Sequence, residues 1–260
     1  MKPGAMIVRA VGKRLSAPLL LVSLAGWWMV AGLDGQAPLA EMCLSVVSAG
    51  QPGSGSGRLW AAPAFDVVTA SGVPAVLLSW LAMLMAMMAP LLAQPIAHLR
   101  RRSLPRRRLP AIALFVAGYV AVWLAAGIAL TALALALGTG APAFTIAVLL
   151  ALAWQAAPFK QLCLNRCHRL PRLSAFGLEA DADALRYGVS HGMWCIGACW
   201  ALMLLPLAAG GAHVAAMAAV TLLLLVERHR PARPPRWGVA PAARLAPPVL
   251  ARPVTMRSSA

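Results

Sequence analysis

The stretch LRYGVSHGMWCIGACWALMLLPL, residues 185–207, decides how the chain is read. It is long and apolar enough for a bilayer-spanning helix, which needs roughly 20 residues. It also carries an imidazole and two thiols at helical spacing. His191, Cys195 and Cys199 stand at i, i+4 and i+8, so on an α-helix all three lie on one face. With a rise of about 1.5 Å per residue, Cys195 falls near mid-bilayer and His191 nearer the inner end. Thiols and imidazoles are the ligands that soft and borderline metals prefer. A histidine inside a span is a functional candidate by default. The plainer alternative is packing: a free cysteine is a small hydrophobe, and Gly192 and Gly197 allow helices to approach closely.

The rest of the chain agrees with a membrane reading. Of 260 residues, 61% are hydrophobic and only 12% charged, with a mean hydropathy of +0.76, which is too apolar for a soluble domain of this length. Apolar runs occur at about 15–33, 73–97, 111–137, 143–162, 185–207 and 212–226. Lipid-exposed backbone must bond to itself, so these Ala-, Leu- and Val-rich runs are predicted helices. The formal charge of +16 is explained by orientation. With six helices and both termini cytoplasmic, 22 of the 23 basic residues fall on the inner side and only Arg58 lies outside. Nucleic acid is therefore not an expected partner; the lipid bilayer is.

The predicted fold is an all-α membrane protein of six transmembrane helices. A basic cytoplasmic N-terminus, residues 1–14, precedes a membrane domain over 15–227. A disordered Arg/Pro-rich cytoplasmic tail, 228–260, follows and rests near anionic lipid. Residues 2–14 and the first apolar run resemble a signal peptide, but the run is long for one and no clean small-x-small site follows it, so the helix is expected to remain. Residues 34–72 form the one sizeable outer loop; it contains Cys43, to which no role is assigned.

No Asp or Glu falls clearly within a predicted span, and no P-loop or dinucleotide fingerprint is present. Sulfur and a few histidines remain. A second C-x-x-x-C pair, Cys163 and Cys167, follows Pro158, which can kink the helix and bend its end back over the bundle. Lys160 and Arg166 place this segment at the inner interface. The two pairs meet only if the segment dips or the helix overruns, so two stations are expected: Cys163/Cys167 facing the cytosol and Cys195/Cys199 deeper. If the first pair is not a site, its thiols are exposed and reduced. Trp80, Met83 and Met87 lie at i, i+3 and i+7 with Met88 adjacent, and Met203 continues the Cys199 face. Thioethers suit Cu(I), although methionine is also a common gap-filler.

Several of these residues carry a resemblance. They are Trp80, Met83, Ala86, Met87, Met88, Pro90 and Pro95, then Tyr119 and Trp123. Pro158, Lys160, Cys163, Leu164 and Cys167 follow, then Gly188, His191, Gly192, Cys195, Gly197, Cys199, Trp200, Leu202 and Met203, with Glu227 closing the pattern. Over roughly residues 73–231 the chain resembles the bacterial family of predicted metal-binding integral membrane proteins, whose members are sometimes labelled copper chaperones. It departs from that pattern at Ala198, where the family has a further cysteine, and at His168 and His213, which add possible ligands.

The resemblance implies a multi-pass protein of the bacterial inner membrane that binds a metal ion, Cu(I) before Zn, for copper handling or delivery. Cys195, Cys199 and His191 are the expected core ligands. Cys163 and Cys167 would acquire or release metal, and Met203, Met87, Met88 and Met83 are secondary candidates. A copper donor or acceptor protein is an implied partner, and no catalytic residue is assigned. The rival readings are a membrane thiol–disulfide oxidoreductase, a metal transporter and a structural partner of another membrane complex.

Overall fold

The computed structural model describes residues 17–34, 73–138, 140–174, 176–230 and 234–238. The basic N-terminus, the outer loop with Cys43 and most of the tail lie outside the described residues. Among those described, every regular element is a helix. The helices are α1 (Ala17–Asp34), α2 (Val73–Met88), α3 (Ala93–Arg102), α4 (Arg108–Leu137), α5 (Ala141–Ala156), α6 (Pro158–Cys167), α7 (Gly177–Ala208) and α8 (His213–Arg228). Short 3₁₀ turns at Ala89–Leu92, Pro105–Arg107 and Gly210–Ala212 link some of them.

Each predicted run corresponds to a helix, but the boundaries and breaks differ. Four segments are long and apolar enough to cross a membrane: Val76–Arg102, Pro105–Leu137, Gly177–Ala208 and Gly210–Arg228. A fifth is counted if α5 and α6 act as one bent span. The apolar stretch of α1, Ala17–Gly32, is shorter. The run predicted over 73–97 contains a 3₁₀ turn at Pro90, whose ring removes a backbone donor and crowds the preceding turn. The loop predicted over 98–110 is mostly helix. Arginine is a good helix former, so α3 continues through Arg102 and α4 starts at Arg108. Likewise α7 starts at Gly177, ahead of its apolar run, where Arg107 donates to Asp181 at 2.7 Å and to the Gly177 carbonyl at 2.9 Å.

The break in the fourth run is sharp. Ala157 precedes proline and takes extended backbone, φ −72° and ψ 135°, as the Pro158 ring requires. Pro158 then opens α6 at a position where no amide donor is needed. The two axes differ by 71°.

Helix α7 is the hub and packs on α4, α5, α6 and α8. Its tightest seam is with α4. A Cβ on Gly188 would lie 2.1 Å from the Phe115 carbonyl oxygen, so only glycine permits this backbone approach. On the other side of α4, the Trp80 indole of α2 donates to Thr131 at 2.9 Å and stacks on Trp123 with ring centroids 6.5 Å apart. Helix α1 is fixed to α2 by Ser23, whose hydroxyl donates to the Ala86 carbonyl at 2.7 Å.

At one end of the bundle a buried ion pair joins α6 to α8. The Lys160 ammonium donates to both oxygens of Glu227, at 2.6 and 2.8 Å, and to the Gln155 amide oxygen; Gln155 in turn donates to Glu227 at 3.0 Å. Lys160, expected at the inner interface, is only 4% exposed, and Glu227, just beyond the last predicted run, 9%. Removing one partner leaves an uncompensated buried charge, at a cost of about 3–5 kcal/mol. Lys160→Met or Glu227→Leu alone should therefore lower the melting temperature of the detergent-solubilised protein markedly. The double variant should recover most of the loss.

Candidate metal centre

The site is built where α6 folds back along α7. The bend at Pro158 turns α6 so that it runs beside residues 194–199. The Trp154 indole at the end of α5 donates to the Gly197 carbonyl at 3.0 Å, and the Arg166 guanidinium lies 5.2 Å from the centroid of the Trp194 ring. Between these contacts, the Cys163 sulfur sits against Gly197; a Cβ there would be 2.7 Å from it. Gly197 thus makes room for a thiol rather than for a helix backbone. Cys163, Cys167, Cys195 and Cys199 are all buried and free. The first pair is not a pair of exposed thiols. Cys163 lies against Gly197, between Cys195 and Cys199 on α7, so the first pair, expected at a separate station, lies alongside the second.

Helix α4 supplies the opposite wall. Phe115, Tyr119 and Trp123 recur every four residues and so form one face. This face lies against the Tyr187–Cys199 face of α7. Phe115, Tyr119 and Tyr187 surround the His191 ring at centroid distances of 5.9, 6.0 and 5.8 Å. The Tyr119 hydroxyl lies 3.4 Å from the Cys195 sulfur. The Trp123 indole, with its ring centroid 6.5 Å from that of Tyr119, is fully buried, and its N–H has no hydrogen-bond partner among the described residues. Cys199 donates its S–H to the Cys195 carbonyl at 2.9 Å, which keeps both thiols on one face.

Arg228, the last residue of α8, closes the site. Its guanidinium is 2.7 Å from His191 Nε2 and lies against the Cys167 sulfur, within electrostatic reach of Cys195. Arginine can only donate, so Nε2 must accept, and its lone pair is the one a metal would use. As the side chains stand, no three His, Cys, Asp or Glu groups among the described residues converge to hold a metal ion. The Arg228 guanidinium occupies the His191 lone pair. The thiols and imidazole are the right donors for a soft cation, but they would have to release this arginine to act together.

The other sequence candidates are placed differently. Met83, Met87, Met88 and Met203 are buried within the apolar core. His168 has both ring nitrogens on carbonyl oxygens, of Leu164 at 2.8 Å and Arg228 at 3.0 Å, and His213 bonds the Pro206 carbonyl at 2.9 Å. His168 thus has neither nitrogen free for a ligand role, whereas the His213 bond engages Nδ1 alone. Arg228 and the contact of Tyr119 with Cys195 were not anticipated. The four-residue recurrence of 115, 119 and 123, matching that of 187, 191, 195 and 199, is the signal that could have found the aromatic wall. Arg228 carries no such signal, since it reads as the start of a basic tail.

A family model described as PpoB2, copper chaperone, matches residues 77–249. The match takes in α2 to α8 and every residue of the site. No curated protein and no solved structure matches the chain.

The Cys163–Gly197 contact makes a structural test. Gly197→Ala should destabilise the protein by about 1–3 kcal/mol through overpacking against sulfur. Adding Cys163→Ala should restore most of that stability, as read from thermal melts of both variants in detergent.

Proposed function

Since the chain belongs to the PpoB2 copper chaperone family, we propose that it is an integral protein of the bacterial inner membrane that binds Cu(I) and hands it on. In this reading the chain crosses the bilayer six times with both termini in the cytoplasm, and the tail beyond α8 lies on the inner surface. The sidedness rests on the distribution of basic residues.

Cys195 is the primary ligand. The observation that carries the reading is the gathering of four buried free thiols beside His191 on α7, with Cys163 against Gly197 and the Tyr119 hydroxyl 3.4 Å from the Cys195 sulfur. A thiolate is the form that binds metal. Cys199, one turn along the same face, and Cys167 and Cys163, brought alongside by the bend at Pro158, supply further sulfur. His191 joins when Arg228 withdraws. Met203, Met87, Met88 and Met83 are a second tier of soft ligands. The donor set favours Cu(I) over Zn, because thiolates and thioethers in a dry apolar setting suit a soft monovalent ion. Copper is cargo here. It passes between low-coordinate sulfur ligands with no change of oxidation state, so the protein need not be an enzyme. A copper donor or acceptor protein is the corresponding partner.

The second reading is a thiol–disulfide oxidoreductase, which the same gathering of thiols also favours. Cys195 and Cys199 one helical turn apart are poorly placed for a bond with each other, since side chains at that spacing stack along the axis.

Mass spectrometry of the reduced, detergent-purified protein should find stoichiometric Cu(I) after reconstitution, and Cys195→Ser should lose most of it. Absence of bound copper in the wild type would sink the reading. Tyr119→Phe should weaken Cu(I) binding about tenfold, the worth of one hydrogen bond to a charged group, as measured by competition with a chromophoric Cu(I) chelator. A thiol-trapping gel from aerobic cells should show free thiols; a disulfide that requires all four cysteines would favour the redox alternative.

A further inference from the structure

Beside the thiol layer, at the end of α6, a cavity of about 540 Å³ opens between the segment after α6 and the flank of α7. Its rim carries four arginines, Arg166, Arg169, Arg172 and Arg186, against a single carboxylate, Asp183, which is 3.9 Å from Arg186. Deeper in, the lining includes Tyr187 and His191. Both side chains are buried, Tyr187 with 6% and His191 with 3% of its surface exposed, so they form the cavity's inner wall. The volume falls within the usual range of small-molecule sites.

We propose that this cavity receives a low-molecular-weight anionic thiol that carries Cu(I), its carboxylates held by the rim arginines. The inference rests on the copper reading above and names the form in which the metal arrives. Arginine forks match carboxylates two bonds at a time, and a net positive rim concentrates anions. The position of His191 separates this ligand from a simple anion. His191 belongs both to the cavity lining and to the soft-ligand face of α7, with Cys195 one turn further along. A thiolate bound in the cavity therefore holds its metal next to the first protein ligands. Transfer is a ligand exchange: the bond from copper to the carrier sulfur breaks as a bond to the Cys195 sulfur forms. A proton still on the Cys195 thiol passes to the departing thiolate, and copper remains Cu(I).

The test uses the full chain in nanodiscs of neutral lipid, with glutathione as the probe. Wild type should bind glutathione saturably. It should take copper from Cu(I)–glutathione about tenfold faster than Arg169→Gln/Arg172→Gln does. Both of these arginines are exposed, so the fold should survive, as a melting curve checks. The same variant should take as much copper as wild type from cuprous acetonitrile, which needs no docking site. Equal transfer rates from Cu(I)–glutathione in wild type and the arginine variant would overturn the proposal. So would a phospholipid found in the wild type by native mass spectrometry and lost in that variant, since the rim would then hold a headgroup. If wild type takes no copper from cuprous acetonitrile, the copper reading itself fails. If it takes copper from acetonitrile but does not bind glutathione, only the cavity proposal fails.

Discussion

The contact between α4 and α7 at Gly188 is the constraint on which the site depends. With glycine there, the α7 backbone comes within reach of the Phe115 carbonyl. Every side chain one or two turns further along both helices is then fixed in register. That register sets Tyr119 against Cys195 and encloses His191 in aromatic rings. A helix pair held apart by ordinary side chains would leave the Tyr119 hydroxyl short of the sulfur. In an apolar environment, small residues at the seam supply the close approach that a hydrophobic driving force supplies in water.

The second constraint is the proline break. A continuous helix through residues 141–167 would carry Cys163 and Cys167 away from the bundle. The turn at Ala157 lays them along α7 instead. The two structural features thus approach the same face of α7 from opposite sides: aromatic rings on α4, sulfur on α6. Arg228 enters from α8 and completes the enclosure.

Much of this was legible in the sequence, for local reasons. The helices follow from apolar runs, and the common face of His191, Cys195 and Cys199 follows from their spacing alone. The bend at Pro158 follows from what proline does to its neighbour. What could not be read depends on long-range register. The spacing of Cys163 and Cys167 says nothing of which turn of α7 they meet, and the pairs were accordingly expected at different depths. Glu227 and Arg228 stand at the edge of a basic tail, so composition assigns them to solvent, whereas the fold turns both inward, to Lys160 and to His191 respectively. Helix ends also extended past the apolar runs, because arginines and acidic residues support helix as well as loop. The methionines show the opposite limit: their burial in the core fits either packing or ligation.

The Lys160–Glu227 pair has a bearing on how the chain assembles during synthesis. The partners are 67 residues apart. At about 5–20 residues per second, Lys160 leaves the ribosome roughly 3–13 s before the carboxylate that neutralises it. During that interval the buried position of α6 holds an uncompensated cation and is unfavourable. Helix α6 therefore gains its full anchorage against the bundle only after α8 has been made, and the same helix brings Arg228. Of the helices around the thiols, α8 is the last to be made, so the four cysteines lack the Arg228 wall until synthesis has passed it.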